Sequence, residues 1–139
     1  METSNEPKWV LQYQSQRPTG QPYSFRIGEH GEYQKLVMAK GDGKGKWTSE
    51  LTLTVAEMQK ISQTIRSSGA LELPEKPSSD GGIIGGTAVT WTFYIDGRQH
   101  IVHYISTSSH RIPELDRVDD VVQKAIFDAR QRVLKGQTN

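Results

Sequence analysis

The run AVTWTFYIDGRQHIVHYIS, residues 88–106, constrains the fold more than any other part of the chain. Asp96-Gly97 supplies the positive-φ pair that a two-residue type I′ turn requires, so two antiparallel strands must meet there. The turn sets the register. Pairing Ile95 with Arg98 places Val89, Trp91 and Phe93 on one face with Tyr104, Val102 and His100, and Thr90, Thr92, Ile101 and His103 on the other. The first set is the expected core face.

Helices are signalled on either side of this hairpin. Thr54 followed by Glu57 forms a capping box, with Leu53 placed to staple onto Met58. Val55, Met58, Ile61 and Ile65 then recur as one apolar stripe, and Gly69 stands where a left-handed C-terminal cap is wanted. The last helix is expected to begin at Pro113 and to end near Gly136, with Leu115, Val118, Val121, Val122, Ala125, Ile126, Ala129 and Val133 along one side. Its acidic residues come early and its basic ones late, as the helix dipole favours.

The N-terminal half reads as strands. Trp9, Leu11 and Tyr13 alternate in KWVLQYQS, Tyr23, Phe25 and Ile27 alternate in YSFRI, and YQKLVMA and WTSELTL follow as a hairpin. Successive strands without strand-helix alternation imply an α+β domain, an antiparallel sheet of about five strands with two α-helices packed on one face. One domain over residues 8–136 fits a chain of 139 residues, with a loose segment at 1–7 and a tail at 137–139.

Charge and composition narrow the chemistry. Lys and Arg number 17 against 16 Asp and Glu, which leaves no broad field to gather phosphate backbone or anionic lipid. The chain has no cysteine, hence no thiolate nucleophile and no disulfide framework, and no run approaches the ~18 apolar residues of a membrane span. A cytoplasmic protein is expected.

Two loops invite a binding role. In SSDGGIIGG, residues 78–86, the outer glycines have the spacing of a phosphate loop, but Thr87 stands in place of the lysine and a strand follows instead of a helix. Asp80, Ile83 and Ile84 are therefore read as an exposed partner anchor. In KGDGKGKW, Lys40, Lys44 and Lys46 lie in a loop beside Trp47, a composition able to grip single-stranded nucleic acid. The plainer expectation turns Trp47 into the core.

Other constellations fall short. His100 and His103 lie an odd number of residues apart on a strand and face opposite ways, so no cofactor or metal is expected to be held there. STSSHR, residues 106–111, lacks the strained elbow of a serine nucleophile, and its hydroxyls suit turns and caps. No catalytic residue emerges.

LTVAEMQKISQTIRSSGALELP, TFYIDGRQHIVHYIS and IPELDRVDDVVQKAI together resemble the emfourin-like small bacterial proteins. The shared pattern is a helix ending in a short LELP turn, a DG hairpin and a proline-started helix. The resemblance covers about half of the chain. It implies a non-catalytic inhibitor that occupies the cleft of a thermolysin-type metalloprotease, and it assigns no inhibitory residue, because the matching positions are caps, turns and core. A non-catalytic protein-binding module, an inhibitor or accessory subunit acting through exposed loops, is the expected function, with a nucleic-acid-binding accessory protein acting through residues 40–47 as the alternative.

Overall fold

A computed structural model describes residues 8–17, 22–38, 45–76, 86–107 and 111–136. Its strands are β1 (Trp9–Gln16), β2 (Tyr23–Gly28), β3 (Glu32–Met38), β4 (Gly45–Thr52), β5 (Thr87–Ile95) and β6 (Arg98–Ser106), and its helices are α1 (Val55–Ser67) and α2 (Pro113–Leu134). All six strands join one antiparallel sheet in the order β4-β3-β2-β1-β5-β6, one strand more than expected. The N-terminal strand lies in the middle, paired with β2 and β5, and fuses the two halves of the sheet.

The register of the β5–β6 hairpin is the expected one, Ile95 opposite Arg98 and Phe93 opposite His100. Asp96 and Gly97 take φ of 56° and 75°, as a type I′ turn demands. Leu11, Phe25, Ile27, Tyr33, Trp91, Phe93 and Val102 share the face that this pairing defines, each at most 1% exposed. Against them pack Met58, Ile61 and Ile65 of α1 and Leu115, Val118, Val122, Ala125, Ile126 and Ala129 of α2. Both helices therefore cover one face of the sheet.

Two expected stripe residues lie outside this core. Val55, in the first turn of α1, is 74% exposed, and Val133 is 54% exposed because the buried stripe of α2 ends at Ala129. Gly69 adopts the left-handed conformation with φ of 93°, ending α1 as expected. Beyond it Leu71 and Leu73 pack at the core margin, and the following segment lies along β6, whose His103 N–H donates to the Glu75 carbonyl at 2.7 Å. His100 Nε2 meets the Leu73 carbonyl at 2.8 Å from the other side of the strand. This strap covers part of the β6 edge, a usual defence of an exposed strand.

The capping box forms in full. Glu57 N–H donates to Thr54 Oγ1 at 3.1 Å, and Thr54 N–H donates to Glu57 Oε1 at 2.8 Å. The same carboxylate receives Arg132 in a fork of 2.9 and 3.0 Å, while Arg132 also reaches the Thr52 carbonyl at 3.3 Å. The end of α2 is thus tied to the start of α1 and the end of β4. The Arg132 guanidinium, aided by the Thr54 N–H, holds the Glu57 carboxyl below its ordinary pKa despite partial burial. A depressed carboxyl contributes stability that is present above its unfolded-state pKa and lost as pH falls through the folded one. Glu57→Gln should therefore lower stability at neutral pH and make the acid limb of a stability-versus-pH curve shallower, as measured by urea denaturation.

Candidate functional site

The sheet has a second face, and no element among the described residues covers it. Alternation along each strand assigns this face Gln12, Arg26, Gln34, Thr92 and Ile101, which lie opposite one another across five strands. Simple alternation also puts Trp9 with Leu11, and Trp47 with Leu51 and Leu53, on the helix side. Neither tryptophan is there.

A bulge accounts for each. In β1 the register passes from Trp9 opposite Gly28 to Leu11 opposite Ile27, so Val10 is an extra residue. Val10 packs at the core margin, and Trp9 turns to the outer face. In β4 the register passes from Leu51 opposite Tyr33 to Ser49 opposite Gln34, which makes Glu50 the extra residue and puts Trp47 on the outer face, opposite Leu36. The expectation that Trp47 enters the core is corrected by that bulge. Re-aiming a side chain is a common use of such insertions.

The two indoles converge on Arg26. Its guanidinium carbon lies 4.0 Å from the ring centroid of Trp9 and 4.0 Å from that of Trp47, so the cation is held between two aromatic rings. Arg26 Nε and Nη2 donate to Gln34 Oε1 at 2.9 and 2.8 Å, and Gln34 Nε2 donates to Ser49 Oγ at 3.1 Å. Trp9, Arg26, Gln34 and Trp47 thus form a row across four strands. All four are half-buried, without being enclosed. Partial burial lowers the Arg26 pKa from its ordinary value, but a guanidinium remains charged at any physiological pH.

Beside Trp9 the face opens into a hollow of about 710 Å³, lined among others by Lys8, Val10, Glu29, Tyr94 and Gln99. On the helix side a groove of about 850 Å³ runs along α1 past Leu53, Met58 and Arg66.

Of the residues singled out in the sequence, Lys40, Lys44, Asp80, Ile83 and Ile84 lie outside the described residues. Lys46 is exposed and lies opposite Val37, hence on the face away from Trp47. The strand separates the lysine from the aromatic it was read with. The histidines also stay apart: His100 and His103 face opposite ways, and His103 Nδ1 meets Thr90 Oγ1 at 2.9 Å while its Nε2 lies 3.4 Å from Glu75. Among the described residues no group of three or more His, Cys, Asp or Glu is placed to hold a metal ion, and no helix is long and apolar enough to cross a membrane.

Arg26 and Trp9 were missed as site residues because each looks like an ordinary strand position. The usable signal was the pair of tryptophans on strands that flank a lone arginine in YSFRI.

No protein-family model matches the chain, and no curated protein matches it significantly.

Proposed function

We propose that the protein is a non-catalytic protein-binding module whose partner seats on the uncovered sheet face around Trp9, Arg26 and Trp47. One observation carries this reading: two separate bulges turn two tryptophans out of the core and onto one arginine. Half-buried Trp and Arg side chains are the types that dominate binding energy at protein interfaces, and leaving them in solvent without such a role forgoes core packing. The sheet is a rigid scaffold for such a site. The emfourin-like resemblance supports the inhibitor form of the proposal, with a metalloprotease as the partner, and Trp47 of the 40–47 stretch belongs to the proposed site.

The test is capture of partners by immobilised protein after nuclease treatment, comparing wild type with Trp47→Ala. Loss of one stoichiometric protein partner from the variant, at an unchanged melting temperature for the variant within a few degrees, is expected. Equal capture by both proteins would remove the sheet face from the interface. A partner released by nuclease would put nucleic acid in its place.

A further inference from the structure

Resting on the sheet-face reading, we infer that Arg26 is the anchor for a carboxylate, and that the partner presents an extended segment with one Asp or Glu between apolar residues. The two indoles flank the guanidinium carbon at 4.0 Å each and narrow the directions from which a ligand can reach its N–H groups. Gln34 Oε1 takes the Nε hydrogen and one of the Nη2 hydrogens. The remaining three N–H groups meet no acceptor, and Arg26 forms no ion pair, among the residues whose side chains are described, Glu50 not being one of them.

Among the described side chains the charge is thus fixed in place and unmatched. Glu32, an acidic position on the same face, sits over Gly28, and its Oε1 accepts the His30 N–H at 3.0 Å. Its carboxylate is turned to the turn backbone and leaves Arg26 to another partner. A planar fork of N–H donors between aromatic walls matches the planar, two-oxygen geometry of a carboxylate, and such charge-assisted pairs are the strong ones.

The rest of the face decides between polypeptide and nucleic acid. A phosphate backbone is held by a track of cations with rings free to stack on bases. Here the cross-strand row through Arg26 runs Thr92, Gln12, Arg26, Gln34, Ser49, Glu32 adds a negative charge, and Lys46 points to the other side. Each indole already has one side on Arg26. A single carboxylate, with apolar residues lying along Trp9 and Trp47, is the complementary ligand.

The experiment uses an array of immobilised extended peptides of about nine residues, each centred on Asp or Glu, and a matched array centred on Asn or Gln; single-stranded oligodeoxythymidine is the third probe. Wild type, Arg26→Gln, Arg26→Lys and Trp47→Ala are compared after circular dichroism confirms that each is folded. Wild type is expected to prefer the acidic peptides about tenfold over their amide counterparts, with Arg26→Gln erasing the preference and Arg26→Lys restoring part of it. Equal binding of acidic and amide peptides, or a preference that survives Arg26→Gln, overturns the carboxylate anchor. In that case a loss on Trp47→Ala still upholds the sheet face. Retention of the oligonucleotide in place of peptides, or of neither peptide set, overturns both.

Discussion

Trp91→Ala should cost about 3–5 kcal/mol of unfolding free energy, a large share of the ~5–15 kcal/mol that a domain of this kind possesses. Trp91 is 1% exposed at the centre of the helix-side face. Its ring lies 4.8 Å from Tyr13 in an edge-on arrangement and 5.8 Å from Phe93 in a stacked one. Its indole N–H bonds the Tyr104 hydroxyl, whose pKa is pushed up to about 12, mainly by burial. Truncation would leave a cavity and strip the buried hydroxyl of its donor. Urea denaturation measures the loss, and Trp91→Phe, which keeps a ring but no N–H, should cost less. A loss below about 1 kcal/mol for Trp91→Ala would mean that this face is not the core.

Gly31→Ala is the second large effect, expected at about 2–4 kcal/mol. Gly31 has φ of 90°, a conformation that disfavours any side chain, and a methyl there would collide with the Leu53 carbonyl oxygen and lie 3.1 Å from the Leu53 nitrogen. The obstacle is backbone, which has no rotamer by which to yield. The same backbone groups also bond, since Leu53 N–H donates to the Gly31 carbonyl at 2.9 Å. Any shift that relieves the collision therefore loosens the junction that leads from β4 into α1. Gly97 is the control. Its φ is 75° but a methyl would meet nothing within 4 Å, so Gly97→Ala should cost only about 1 kcal/mol. Similar losses at both positions would refute the close approach at Gly31.

The contrast between what the sequence revealed and what it concealed follows from how far each signal reaches. The type I′ turn at Asp96-Gly97, the Thr54–Glu57 box and Pro113 act over a few residues, and each appears as expected. The register of β5 and β6 followed from the turn alone. The placement of β1 between β2 and β5 is a long-range pairing with no local signature. Bulges concealed the candidate site most thoroughly. An extra Val10 or Glu50 carries none of the glycine that marks some bulges, so period two was carried through both and put Trp9 and Trp47 on the wrong face. Arg26 meets both tryptophans only because β1, β2, β3 and β4 lie side by side in the sheet.

The sheet face and the helix face can be set against each other directly. The decisive quantity is the affinity of the captured protein partner for Trp9→Ala/Trp47→Ala and, separately, for Phe127→Ser, which alters a 60% exposed apolar residue on α2. The tryptophan pair should weaken binding by about a hundredfold or more, consistent with two interface tryptophans, while Phe127→Ser leaves it within about twofold. Full affinity in the tryptophan variant together with a loss in Phe127→Ser would place the partner on the helices and contradict the proposed site.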